Sequence, residues 1–313
     1  MFRWMAVAFL SVSTAAQAQD PRLYTIGSGD VNGSYYAAAT ALCQETNRAE
    51  TALRCSPEAT PGSIYNMEAL RTRQLDFAIV QSDVQTMALT GEGPFVGKPA
   101  FSDLRSVMSL YPETLTVLSR PDAHILSLGG LVGKRVDIGL PASGRQATAM
   151  RLLTALGLDR TDFRALLELS TGTGLDELCA GRIDATVLIL GHPSSVVDRA
   201  INECDARLVN ISGPEVRAFI EANDDYVYSS IPRSVYGKKG RILSIGVLAT
   251  LVTRTDMPDD IVAAINKNTI ANLPSIGVSA AVLEKLSVRD MQESGLAALL
   301  HPAAAAMFAE IGK

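Results

Sequence analysis

Histidine is scarce. The 313-residue chain has three, at positions 124, 192 and 301, and none has another at metal-ligand spacing, which argues against a histidine-based metal site. The four cysteines include no C-x-x-C, so neither a zinc site nor thioredoxin-like redox chemistry is expected. There is no Gly-x-Ser-x-Gly elbow and no phosphate loop ending in Gly-Lys-Ser/Thr, the local patterns that would announce a serine nucleophile or a nucleotide-phosphate cradle. No catalytic residue, metal ligand or cofactor is assigned. Basic runs are missing too: 28 Lys and Arg against 33 Asp and Glu leave a formal charge of −5. A mildly acidic chain of this kind argues against a nucleic-acid partner. Beyond the N-terminus no segment reaches the roughly 18 uninterrupted apolar residues that a membrane helix needs, so the mature chain is not expected to span a membrane.

What the N-terminus does contain is an export pattern. Arg3 precedes an apolar run from Trp4 to Val12, and small residues lead to Ala16-Gln17-Ala18. These are the three regions of a secretory signal, with cleavage expected after Ala18. Its apolar run is too short to span a bilayer. Removal of residues 1–18 takes away Arg3 and moves the formal charge from −5 to −6. An oxidising compartment then makes disulfides reasonable. Four cysteines allow three pairings; placement at the late turns of helices and beside neighbouring strands favours Cys43–Cys55 and Cys179–Cys204. Each closure is worth roughly 3 kcal/mol in the chain-entropy account.

With 47% hydrophobic residues, a chain of this length can bury two cores. Leu23 to Ile26 reads as a strand, followed by a loop with glycines at 27, 29 and 33 and an alanine-rich helix from Tyr35 to Ala49. Further strands are expected at Thr51–Pro57, Leu75–Val80 and Leu104–Leu110, the last broken at Tyr111-Pro112-Glu113 before a β-rich run Thr114–Leu118. The pattern then restarts with strands at Lys134–Gly139, Ile183–Leu190 and Leu208–Ile211, a short helix at Ile125–Leu131 and a helix at Ala147–Leu156. Residues 224–240 carry no clear period, Ile245–Arg254 is an emphatic β run, and the tail is mostly helical. Two successive blocks of alternating strands and helices indicate an α/β chain of two lobes with mainly parallel sheets.

In such sheets ligands bind beyond the carboxyl ends of the strands. Five loops follow strands: 27–35, 59–63, 81–83, 141–146 and 191–195. They can converge only if the lobes face each other across a cleft. In the first loop the glycines permit a tight turn and close backbone approach, and the helix behind it offers free N–H groups to an anion. A plain βα turn is the alternative, and a dinucleotide fingerprint would need glycine at Asn32. Gln81-Ser82-Asp83 stands at a helix start, where Ser82 or Asp83 could simply cap and Gln81 could meet a carboxylate or amino group. Gly62 and Ser63 offer N–H and hydroxyl donors. Ser143-Gly144-Arg145-Gln146 adds a hydroxyl and a guanidinium fork suited to carboxylate, although Arg145 could equally be a solvated arginine. Gly191-His192-Pro193 could be a structural turn or a contact.

The ordered set of motifs resembles the TAXI family of periplasmic solute receptors of tripartite ATP-independent (TRAP) transporters. The resemblance rests on Ile26-Gly27-Ser28-Gly29 with Gly33-Ser34-Tyr35-Tyr36, and on Ala59-Thr60-Pro61-Gly62-Ser63 with Asn66. It continues through Asp76 to Asp83, Ser109-Leu110-Tyr111-Pro112-Glu113, Leu131 to Val136, Ser143-Gly144, Gly181 to Ala185 and Gly191-His192-Pro193, over roughly residues 22–270. The family tends to have threonine where this chain has Arg145. The resemblance implies a two-lobed periplasmic binding protein of type II-like fold, with a ligand cleft between the lobes and two hinge crossings. The first lobe is expected to comprise residues 19–116 and 247–313, and the second 117–246. It implies a periplasmic monomer that is not an enzyme, binds a dicarboxylate or a glutamate-like amino acid, and delivers it to a TRAP permease. The ligand set expected is Gly29, Asn32, Gly33, Ser34, Tyr35, Gly62, Ser63, Gln81, Ser82, Ser143, Gly144, Arg145, Gln146 and His192. The alternatives are a nucleotide-dependent oxidoreductase using the 27–33 loop, or a ligand sensor for a signalling partner.

Overall fold

The computed structural model describes residues 20–311; the expected signal segment, 1–18, lies outside them. The first block runs β1 (Arg22–Gly27), α1 (Ser34–Ala49), β2 (Leu53–Glu58), α2 (Ser63–Arg71), β3 (Phe77–Gln81), α3 (Ser82–Thr90) and β4 (Leu104–Ser119). The second runs β5 (Arg135–Asp137), α4 (Gly144–Ala155), β6 (Ala165–Leu167), α5 (Thr171–Cys179), β7 (Ala185–Leu190), α6 (Ser195–Glu203), β8 (Arg207–Val209), α7 (Pro214–Glu221) and β9 (Val227–Pro232). Then β10 (Arg241–Arg254) leads to α8 (Asp259–Ala271), α9 (Leu273–Ser279), α10 (Val288–Glu293) and α11 (Pro302–Ile311). Among the described residues no helix is long and apolar enough to cross a membrane.

The strands form one ladder in the order β2-β1-β3-β10-β4-β7-β5-β6, with β8 on β4 and β9 on β10. At its two ends pairing is parallel, as expected of buried β-α-β units: β1 with β2 and β3, and β5 with β6 and β7. All five residues of β3 are buried, which is why its sequence is apolar without alternation. The middle is antiparallel, a departure from the mainly parallel expectation, because β4 and β10 run the length of the molecule in opposite directions. Between them they serve both halves. β4 pairs with β10 from Leu104 to Thr114 and with β7 from Thr114 to Ser119.

The break expected at Tyr111-Pro112-Glu113 does not occur; β4 is one strand of 16 residues. Proline stops a strand only where a neighbour needs its N–H. Opposite Pro112 stands Leu248, whose own N–H turns away from β4 to Ser82 Oγ at 3.1 Å. On the other edge, β7 pairing begins two residues later, at Thr114. Pro112 therefore occupies a position at which no ladder bond is lost. Residues 224–240 resolve into β9 and a 3₁₀ turn, Arg233–Tyr236. The segment 125–131 is helical only as a 3₁₀ turn, Leu128–Leu131.

The apolar cores follow the crossings. One cluster draws on Tyr24 to Tyr111 and then on Ala249 to Phe308; another draws on Leu115 to Val247. The chain leaves the first core along β4 and returns to it along β10. Both expected disulfides are present, with Cα atoms 5.0 Å apart for Cys43–Cys55 and 5.1 Å for Cys179–Cys204. The first ties α1 to β2, as placement suggested; the second joins the ends of two helices, α5 and α6, rather than a helix to a strand. Peptide mapping of the protein under non-reducing conditions is expected to recover 43–55 and 179–204 as linked pairs, and four free thiols would contradict it.

Candidate ligand-binding site

The N-termini of four helices, α1, α2, α4 and α5, meet around one cavity of about 80 Å³ between the halves. Each of these helices has at least nine residues, long enough to present a partial positive charge at its start. The capping interactions consume some of the N–H groups and leave others. Gly33 N donates to the Asp30 carbonyl, Tyr65 N to the Ala142 carbonyl, Gln146 N to Ser143 Oγ, and Thr173 N to Ser170 Oγ. The N–H groups of Ser34 and Tyr35, Ser63, Gly144 and Arg145, and Thr171 stand in the first turns, where no intrahelical acceptor exists. Their residues line the cavity. An anion there would be met from both halves.

Close approach of the halves depends on glycine. A Cβ on Gly144 would lie 1.6 Å from Gln81 Oε1 and 2.8 Å from Ser63 Oγ, and Gly62, at φ +127°, sits against Ser143. Hydrogen bonds then span the gap. Gln81 Nε2 donates to Thr148 Oγ1 at 3.0 Å. Asp83, fully buried, accepts at one oxygen from Thr148 Oγ1 at 3.1 Å and from Tyr226 Oη at 2.5 Å. Burial pushes the Asp83 carboxyl above the usual carboxylate range. The two halves are thus in direct hydrogen-bonded contact beside the cavity.

Of the residues expected from sequence, Gly29, Gly33, Ser34, Tyr35, Gly62, Ser63, Gln81, Ser143, Gly144 and Arg145 line the cavity. Four do not. Ser82 Oγ accepts the Leu248 N–H. Gln146 Nε2 donates to Glu168 Oε1 at 2.9 Å. Asn32 lies near Gly172 on the rim. His192 is held between Thr116 Oγ1, 3.0 Å from Nε2, and Tyr236 Oη, 2.5 Å from Nδ1. Burial lowers its pKa to about 4, so it stands neutral beside a structural turn.

Arg145 departs from the free carboxylate fork that the sequence suggested. It is buried, and its Nη2 donates to Asp137 and, at 2.8 Å, to Thr186 Oγ1, while Nε donates to the Val187 carbonyl. Asp137 is fully buried and also accepts from Gly139 N and Leu169 N, both at 3.0 Å, and from Thr186 Oγ1 at 2.8 Å. The guanidinium is chiefly the counter-ion of a buried carboxylate. Among the described residues only Nη1 lacks a hydrogen-bond partner.

Sequence reading missed three contributors, at two places in the chain. Ser170 and Thr171 reach the cavity because three-residue β6 delivers them there, and so short a strand has no legible period. The other is Glu113. It sits where β4 passes from one half to the other, is 2% exposed, and lines the cavity. Tyr35 Oη donates to its Oε2 at 2.7 Å, and Oε1 has no hydrogen-bond partner among the described residues. Burial, reinforced by the charge of Asp83, raises its pKa to about 8 against the lowering effect of Tyr35. The signal that could have found it is that Glu113 is the single carboxylate in the β-rich run that becomes β4. Nearby, Tyr111 Oη is buried without a partner.

Against known proteins, the model of the NMT1-like family matches residues 26–312. Among solved structures, MatC from Rhodopseudomonas palustris with bound malate is similar over 93% of this chain and 96% of its own, at 15% identity and a TM-score of 0.60. The periplasmic binding protein BugD aligns over 93% of both chains at 11% identity and TM-score 0.57. The alkanesulfonate-binding protein SsuA from Xanthomonas axonopodis pv. citri, bound to MOPS, covers 93% of this chain and 85% of its own at 15% identity and TM-score 0.51. At these identities the likeness is one of fold, and it is the two-lobed fold of periplasmic binding proteins.

Two outcomes follow from the buried charges. Arg145→Thr leaves Asp137 buried without its counter-ion, so denaturant unfolding in the absence of ligand should show a loss of about 3 kcal/mol; an unchanged midpoint would mean that the pair contributes nothing. For Glu113, the folded pKa lies above the ordinary value of 4.5. Its contribution is therefore complete below that value and is lost as pH rises toward about 8. Relative to Glu113→Gln, wild-type stability should fall across this window with a slope approaching about 1.4 kcal/mol per pH unit. Parallel stability curves for the two proteins would show that Glu113 titrates normally.

Proposed function

The chain belongs to the NMT1-like family, and on that premise we propose that it is a periplasmic receptor that captures a small organic anion between its lobes. The observation that carries this reading is the convergence of four helix N-termini, two from each half, on one cavity. Backbone dipoles held in fixed directions favour a negative ligand without needing a free cation. The Asp137–Arg145 pair adds little net charge. MatC with malate and SsuA with MOPS are relatives in fold that hold organic acids, and the motif order resembles TAXI receptors. The reading therefore extends to a dicarboxylate or glutamate-like ligand and to delivery to a TRAP permease.

In this scheme residues 19–116 with 247–313 move as one body and residues 117–246 as the other, turning about β4 and β10. Ligand favours the closed form through its greater affinity for it. The ten cavity-lining residues anticipated from sequence, together with Glu113, Ser170 and Thr171, form the binding set. The expected export signal and the two disulfides suit a periplasmic location.

A thermal-shift panel of dicarboxylates, amino acids and nucleotides tests the proposal. A ligand at 100 times its Kd adds about 2.7 kcal/mol to the stability of the bound fold. Stabilisation by a dicarboxylate or a glutamate-like amino acid, with none by nucleotides, is expected. Stabilisation by nucleotides alone would replace the reading with a nucleotide-binding one.

A further inference from the structure

A carboxyl group inside an anion site poses a physical problem. Ionised, Glu113 would repel the ligand that the four helix N-termini attract. Apart from the helix N-termini, its immediate side-chain surroundings offer little to hold a charge. Tyr35 Oη supplies one hydrogen bond, to Oε2, and no guanidinium or ammonium reaches either oxygen. The ionisable groups facing it are Tyr111 on its own strand, Tyr35 on α1 and Asp83 on α3, and of these the Asp83 charge further disfavours a second negative charge. Arg145 and Asp30 share the cavity wall, but Arg145 is committed to Asp137. The residues of β10 opposite Glu113, Gly246 to Leu248, carry no ionisable side chain. Just past the end of β7, His192 is occupied by Thr116 and Tyr236.

We propose that Glu113 serves the cavity as a neutral carboxylic acid: Oε2 accepts from Tyr35, while Oε1 carries the proton and donates it to an oxygen of the bound anion. This assignment rests on the organic-anion reading above and narrows it. The group placed against Glu113 is a carboxylate or another anionic oxygen, not an ammonium, so a plain organic acid suits this position better than an amino acid presenting its amine there. It also makes binding proton-linked. Below the titration range of Glu113 the proton is already in place; above it, each binding event takes one proton from solvent. A carboxylic acid is the group that can do this, because its ionised form closes the site to anions and its neutral form opens it.

The experiment is calorimetry of wild type and Glu113→Gln with succinate, 2-oxoglutarate and L-glutamate at pH 6.5 and pH 9, each in two buffers of different ionisation enthalpy. Glutamine keeps the shape and a hydrogen-bond donor but cannot ionise. For a wild-type pKa of about 8, affinity for the organic acids should fall about tenfold between the two pH values, with close to one proton taken up per ligand at pH 9 and almost none at pH 6.5. Glu113→Gln should bind at pH 6.5 within about threefold of wild type, lose the pH dependence and take up no proton. Wild-type binding that is independent of pH, without proton uptake, overturns the proposal while leaving the organic-anion reading intact. So does a preference for L-glutamate that Glu113→Gln abolishes at both pH values, since Glu113 would then be an ionised partner for an ammonium. If none of the three acids binds, the organic-anion reading fails and this proposal falls with it.

Discussion

Two antiparallel strands, β4 and β10, are the constraint on which the rest of the molecule depends. Each is long enough to pair in both halves, so the sheet is continuous while the apolar cores are separate. Hydrogen-bonded pairing holds the two strands in register, and each half builds its parallel β-α-β units outward from that spine. The helices that follow those parallel strands necessarily start at the strands' carboxyl ends. Because both halves share the spine, their carboxyl ends face one another, and the cleft is a consequence of topology before any ligand chemistry enters.

The electrostatics of the cleft follow from the same arrangement. Parallel units deliver helix N-termini, so the site is positive by backbone geometry. Side chains then adjust it. Asp137 neutralises Arg145 inside the second half, and the pair fixes the start of α4 against β7 through Thr186 and the Val187 carbonyl. Glu113 and Asp83, both buried and both raised in pKa, occupy the seam where the halves meet. Asp83 is satisfied by hydroxyls from the opposite half, whereas Glu113 lines the cavity with one oxygen lacking a hydrogen-bond partner among the described residues. Buried carboxyls at this seam are costly when ionised and unpaired.

Much of this was legible in order along the chain. The glycine loop after β1, the Gly62-Ser63 and Ser143-Gly144 turns, and Gln81 at the end of β3 were readable because each is a local strand-to-helix transition. Of the cysteine pairs, 43–55 was readable from a helix and its neighbouring strand, whereas 179–204 joins two helix ends instead. What escaped was non-local. Pro112 looked like a strand break because its lack of an N–H is a local fact, while the absence of any neighbour needing that N–H is a property of the assembled sheet. Three-residue β6 has too few residues to show a period, so the contribution of Ser170 and Thr171 was invisible.

Arg145 and Glu113 show the division most clearly. The sequence by itself determined that an arginine follows a serine-glycine helix start and that a glutamate stands in a β run. Local propensity and patterning decide such things within a few residues. Only the tertiary structure decided that the arginine is occupied by Asp137, eight residues upstream on β5, and that the glutamate lies within a hydrogen bond of Tyr35, 78 residues away. A side chain's charge state and free hydrogen bonds depend on what surrounds it in space and on how much water is left. Both are fixed by how the two halves pack along β4 and β10, and neither is encoded in the spacing of residues along the chain.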